Sequence, residues 1–133
     1  MICKEVSLQE AWILLASTAD AELIDVRTDA EWNYVGVPDL ADIGKTTHLI
    51  EWNRFPGGEN NERFVSQASE RLTPHQPVLL LCRSGVRSLA AAGALAAAGF
   101  ADLYNVSAGF EGDLDSAGHR HGGWKETLPW VQK

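Results

Sequence analysis

Residues 78–98 read as strand, turn and helix in immediate succession. Val78–Leu81 is an unbroken apolar run, the segment after it carries charge and glycine, and Arg87–Ala98 is alanine-rich and helix-favouring. A short, wholly apolar run bounded by turn signals fits a strand buried on both faces, as in a parallel sheet, and the helix after it supplies the crossover. The rest of the chain repeats this alternation. Ser7 and Glu10 have the spacing of a capping box, and Leu8, Ala11, Trp12, Leu14 and Leu15 follow at helical intervals. Ala21–Val26 reads as a second buried strand, and Thr28 with Glu31 repeats the capping pattern ahead of a short helix through Trp32 and Tyr34. Gly36-Val37-Pro38 breaks that helix, Thr47–Ile50 can form a strand, and Pro56-Gly57-Gly58 turns the chain.

Phe64, Val65, Ala68 and Leu72 mark one face of a further helix, with Asn60 or Asn61 before it as a cap and Pro74 and Pro77 ending it. Gly99-Phe100 suits a left-handed carboxyl cap, and Asp102–Val106 reads as the last strand. Five glycines in residues 107–123 predict mostly loop, with Trp124–Trp130 closing the chain. The expectation is an α/β fold in one domain spanning residues 1–133.

Composition narrows the functions open to such a fold. With 45% hydrophobic and 22% charged residues the chain has material for a core and falls outside the disordered class. The formal net charge is −7, which argues against a nucleic-acid partner, because phosphate binding draws on a surplus of Lys and Arg. Val78–Cys82 and Leu89–Phe100 fall short of the roughly 18 apolar residues of a membrane span. No membrane partner is expected. The amino terminus has an early acid and no secretion-signal pattern, so a cytoplasmic location is the default. In a reducing compartment Cys3 and Cys82 are expected as free thiols.

Cys82 stands where the clearest strand ends, followed by Arg83-Ser84-Gly85-Val86-Arg87 and the alanine-rich helix. A short loop feeding a helix can aim successive backbone N–H groups inward, and the helix amino terminus adds partial positive charge behind them. Arg83 and Arg87 add full charges, and such a setting favours the thiolate. An isolated cysteine at a strand end is more often a small buried hydrophobe. Two arginines and a glycine within five residues suit an anion cradle far better than apolar packing.

At these residues the chain resembles the single-domain rhodanese-like sulfurtransferases. The resemblance runs over nearly the whole chain, through Asp25-Val26-Arg27 with Glu31-Trp32, the loop Cys82 to Ser88, and Asn105-Val106 leading to Gly109-Phe110. It implies a rhodanese-like fold with a largely parallel central sheet flanked by helices on both faces. It also implies a sulfurtransferase in which Cys82 takes sulfane sulfur from thiosulfate or a similar donor, holds it as a persulfide and passes it to a thiol, cyanide or protein acceptor. Arg83, Ser84, Gly85, Val86 and Arg87 would form the anion-binding loop, their N–H groups stabilising the persulfide. Asp25 and Arg27 resemble a framework pair that holds loops near the site. Arg87 is open between an anionic donor and framework carboxylates such as Asp25 or Glu31. Cysteine phosphatases place five residues between nucleophile and arginine; here four separate Cys82 from Arg87, implying a smaller cradle and leaving phosphatase activity as a lesser alternative. A second alternative is a rhodanese-like binding or sulfur-carrier module without small-molecule turnover. The chain departs from the family at Tyr34-Val35-Gly36-Val37-Pro38, where valine stands in place of a common histidine, so residues 39–46 are expected to take an unusual path.

Other constellations carry less. His119 and His121 lack the further ligands of a zinc site and read as solvated loop residues whose charge could help recruit an anionic donor; no metal is expected. His48 and His75 fall in no motif. Gly109 and Gly112 lack a dinucleotide fingerprint, and no cofactor is expected. Most of the five tryptophans read as packing, while Trp52 and Trp124, beside glycine- or proline-rich loops, are candidates for the edge of the site. Cys3 lies in a terminus that reads as unstructured, with no strand-loop-helix setting to support a persulfide.

Overall fold

A computed structural model describes residues 3–133. Its central sheet has five strands, all parallel: β1 (Lys4–Val6), β2 (Glu22–Asp25), β4 (His48–Leu49), β5 (Val78–Leu81) and β6 (Leu103–Val106), in the order β1-β6-β5-β2-β4. The helices are α1 (Leu8–Ser17), α2 (Asp29–Val35), α3 (Phe64–Arg71), α4 (Val86–Ala97) and α5 (Trp124–Thr127). β5 occupies the middle of the sheet because every one of its side chains is apolar and can face a packed layer. Alternation along it divides the core. Val78, Leu80 and Cys82 join a cluster with Phe64 and Ala68 of α3 and Ala91, Ala92 and Leu95 of α4. Leu79 and Leu81 face the opposite layer, with Leu8, Ala11 and Leu15 of α1 and Trp124 of α5. The sheet is therefore covered by helices on both faces, and the strand ends that carry Asp25 and Leu81 lie side by side in register.

The helix signals translate into hydrogen bonds. Ser7 Oγ accepts from the Glu10 amide at 3.1 Å while Glu10 Oε1 accepts from the Ser7 amide at 2.8 Å, and Thr28 with Glu31 repeats the box at the start of α2. At the end of α4, Gly99 has φ +101°, the Phe100 amide bonds back to the Leu95 carbonyl at 3.0 Å, and Phe100 is buried. Before α3 the signal is displaced: Arg63 occupies the cap, and Asn61 Oδ1 accepts from the Arg63 amide at 3.1 Å from two residues further out.

Three features differ from expectation. Residues 3–6 are ordered: β1 pairs along the sheet edge with β6, and Cys3 beside it is buried in the core at 7% exposure. A strand of three residues reading Lys-Glu-Val has no alternating apolar pattern for the sequence to betray. Residues 107–123 contain a small hairpin of β7 (Gly112–Leu114) and β8 (Arg120–Gly122). Trp124 is fully buried, its ring 6.1 Å from that of Trp12, and so belongs to the core rather than to a site edge. After α2, β3 (Val37–Pro38) pairs antiparallel with β9 (Trp130–Val131), and a single 3-10 turn at Ala41–Ile43 leads to β4. Among the described residues no helix is long and apolar enough to cross a membrane.

Candidate active site

Cys82 leaves the carboxyl end of β5 and begins a loop that enters α4 at Gly85. Hydrogen bonds from the chain after β6 hold this loop from outside. The Cys82 carbonyl accepts from the Phe110 amide at 2.8 Å, and the Arg83 carbonyl accepts from the amides of Glu111 and Gly112 at 3.0 and 3.2 Å. With its carbonyls engaged there, the loop can turn amides the other way, and the Gly85 N–H donates to Cys82 Sγ at 3.1 Å. Two glycines make this possible. Gly85 has φ +99° and a Cβ there would lie 2.6 Å from the Ser107 carbonyl oxygen; at Gly109, φ +70°, it would lie 2.3 Å from that of Arg83. The thiol is buried, with Cys82 at 1% exposure. Ser88 and Asn105, which sequence reasoning did not single out as site residues, also reach this sulfur or its surroundings.

Together with Glu31, the four charged residues of the expected framework and loop form two ion pairs and leave one free guanidinium. Asp25 and Arg27 have no exposed surface; Arg27 donates through Nη2 to Asp25 Oδ2 at 2.7 Å, through Nε to Oδ1 at 3.0 Å, and through Nη2 to the Gly36 carbonyl at 2.7 Å. The guanidinium also lies 4.2 Å from the centre of the Phe110 ring. Arg87 points at Glu31, with two parallel bonds of 2.7 and 2.9 Å, so its open alternative closes on that carboxylate and not on Asp25. Burial opposes the Glu31 charge, but the Arg87 guanidinium and the Thr28 amide outweigh it and hold the carboxyl below its ordinary range. Arg87 is correspondingly held further in its charged form, chiefly by Glu31. Arg83 is exposed, and its guanidinium has no hydrogen-bond or ion-pair partner among the described residues.

A cleft of about 520 Å³ opens beside the loop, lined by Arg83, Arg87, Glu31, Tyr34, Phe55 and Glu111 among others. Tyr34 and Phe55 are 86% and 69% exposed, so the cleft has aromatic edges that no sequence motif announced. Trp52 is not among them; it packs edge-on against Phe64 in the core. His121 does not face this cleft and bonds Asp115 at 2.6 Å in the β7–β8 hairpin. Burial raises the Cys3 thiol above its ordinary range, with Glu5 adding to the effect.

Comparison with known proteins bears on the family and the fold. A family model described as the rhodanese-like domain matches residues 7–115. An uncharacterized protein of Rickettsia conorii is 36% identical over 131 residues, 98% of each chain. Thiosulfate sulfurtransferase 18 of Arabidopsis thaliana is 34% identical over 105 residues, 79% of this chain and 74% of that one. Among solved structures, the crystal structure of Rv0390 from M. tuberculosis superposes with a TM-score of 0.90 at 41% identity, covering 98% of both chains. The polysulfide-sulfur transferase homodimer of Wolinella succinogenes shares the fold at a TM-score of 0.66 and 24% identity, over 98% of this chain and 79% of that one. By fold, by matched residues and by these relatives, the chain belongs to the rhodanese-like domain family.

Proposed function

We propose that the protein is a cytoplasmic sulfurtransferase that moves sulfane sulfur from thiosulfate, or a donor of similar chemistry, to a nucleophilic acceptor through a persulfide on Cys82. The observation that carries this reading is the buried Cys82 sulfur held by the Gly85 amide at 3.1 Å, inside a loop whose carbonyls are engaged elsewhere. The thiolate attacks the terminal sulfur of the donor, a bond forms between the two sulfurs, and sulfite leaves with the electron pair of the broken bond. An acceptor anion then attacks the outer sulfur and returns the pair to Cys82. Inward amides of Arg83, Ser84, Gly85, Val86 and Arg87 form the cradle for the persulfide. The Arg83 guanidinium, without a partner among the described residues, receives the anionic end of the donor; Arg87 and the Asp25–Arg27 pair brace the loop and its neighbours. No step requires a cofactor or metal.

A carrier that delivers sulfur to one protein is the second reading, and the cleft favours keeping it. Its 520 Å³ and aromatic edges exceed what an inorganic donor fills, which suits a larger acceptor. Incubation with excess thiosulfate, removal of the donor and intact-mass measurement should reveal a gain of one sulfur atom, reversed by cyanide. Cys82→Ser should abolish the gain, and Cys3→Ala should load normally. Sulfur on Cys3, or none on well-folded wild type, would sink the sulfurtransferase reading. Continuous turnover with thiosulfate and cyanide favours the enzyme, and a single slow discharge favours the carrier. Efficient Cys82-dependent hydrolysis of aryl phosphates would favour a phosphatase.

A further inference from the structure

Ser88, in the first turn of α4, is fully buried, and its Oγ lies 3.3 Å from Cys82 Sγ and 2.5 Å from Asn105 Oδ1. A hydroxyl has one proton and cannot donate to both. The orientation of Asn105 is fixed by its other contacts. Its Nδ2 reaches the Glu5 carboxylate at 3.0 and 3.3 Å and the Gly85 carbonyl at 3.1 Å, all acceptors, so the amide oxygen faces Ser88. The parallel register of β1 and β6 sets Glu5 opposite Asn105 and so makes this chain of contacts possible.

We propose that Ser88 is a catalytic group whose hydroxyl hydrogen bond switches between Asn105 and the Cys82 sulfur as that sulfur gains and loses charge, with Asn105 and Glu5 as positioning residues. The inference rests on the sulfur-transfer reading in taking Cys82 as both nucleophile and leaving group. In the persulfide, Cys82 Sγ is neutral and a weak acceptor, and Asn105 holds the Ser88 proton. When an acceptor anion attacks the outer sulfur, the bond from that sulfur to Sγ breaks and its electron pair arrives on Sγ. A charged acceptor 3.3 Å away outcompetes a neutral amide oxygen, and the hydroxyl turns to it. Loading runs in the opposite sense. There the charge is greatest on the starting thiolate, so the same hydrogen bond stabilises the ground state more than the transition state and gives no acceleration. Ser88 therefore speeds release of sulfur and does not speed its capture, an asymmetry that packing alone would not produce.

The test separates the two steps in a Cys3→Ala background, with and without Ser88→Ala. Alanine is smaller and the best helix former, so the variant keeps its fold. Methyl methanethiosulfonate loads Cys82 with a methylthio group, expelling methanesulfinate. 2-Mercaptoethanol then attacks the outer sulfur and frees the Cys82 thiolate, and intact mass distinguishes this from attack on Sγ, which would leave a mercaptoethanol adduct. Ser88→Ala should slow release about tenfold or more and leave loading equal or faster. Equal slowing of both steps, unchanged release, or no reaction of Cys82 in the parent protein would overturn the proposal. The probe does not depend on thiosulfate as a donor. Absence of thiosulfate loading in the parent would therefore count against the sulfurtransferase reading alone, while the two rates still judge Ser88.

Discussion

Asp25→Asn keeps the shape of the side chain and removes the charge that balances Arg27. Both residues lie wholly out of water, joined at 2.7 and 3.0 Å, and the new amide would set a donor against a guanidinium that has only donors. Removing one member of a buried ion pair costs about 3–5 kcal/mol, because the other is left charged without compensation. That is a large share of the roughly 5–15 kcal/mol that holds a typical domain together. At about 2.1 cal/mol/K per residue, a chain of 133 residues has an unfolding entropy near 0.28 kcal/mol/K, so the melting midpoint should fall by about 11–18 °C. Urea titration should give a lower midpoint with an unchanged m-value. Adding Arg27→Met removes the stranded charge at the expense of the Gly36 carbonyl's 2.7 Å donor, a loss of about 1–3 kcal/mol. The double variant should therefore lie between Asp25→Asn and wild type. A single variant within about 1 kcal/mol of wild type, or a double variant no more stable than the single, would refute the claim that this pair supports the site as a buried charge couple.

Arg83→Ala, at an exposed guanidinium without a partner among the described residues, should leave the melting temperature nearly unchanged and raise the KM for thiosulfate about tenfold; an unaltered KM would remove Arg83 from donor binding. Glu31 contributes stability that is present above the unfolded carboxyl pKa of about 4.3 and is lost as pH falls through its lower folded value, so Glu31→Gln should flatten the acid limb of the stability curve below about pH 4. An acid limb identical to that of wild type would mean that the Arg87 contact does not hold in solution. Phe55→Ala should slow transfer to aryl thiol acceptors several-fold and leave cyanide unaffected, as measured by parallel steady-state assays; equal losses for both acceptors would place Phe55 outside acceptor recognition.

The elements that the sequence made legible are those whose signal is local. The two capping boxes, the apolar run of β5 and the glycine after α4 each satisfy their own backbone or bury their own face, so a few residues suffice to read them. Cys82 belongs with them, because strand end, loop and helix are contiguous. What escaped depends on partners distant in the chain. β1 is a strand only because β6 lies beside it, with Lys4 opposite Tyr104 and Glu5 opposite Asn105, and burial of Cys3 follows from that pairing. Trp124 sits beside glycines in sequence and beside Trp12 in space, and only the second neighbour decides its burial. The same holds for Arg87, whose guanidinium could have served donor or framework until the 56-residue separation from Glu31 closed.

Even the loop that the sequence picked out most readily is finished from a distance. Peptide groups are rigid planes, so a carbonyl fixed on one side turns the amide of the next residue to the other. The amides of Phe110, Glu111 and Gly112 capture the carbonyls of Cys82 and Arg83 from outside, and Gly109 allows that approach because any Cβ would strike the Arg83 carbonyl. The stretch Cys82 to Arg87 therefore specifies which groups are available to the Cys82 sulfur, while the turn after β6 specifies which way they face. Asn105 joins the two, since it belongs to the strand that delivers this turn and also holds the Gly85 carbonyl and the Ser88 hydroxyl beside the thiol. A change in that turn would consequently reach the sulfur through backbone orientation, without altering a single residue of the loop itself.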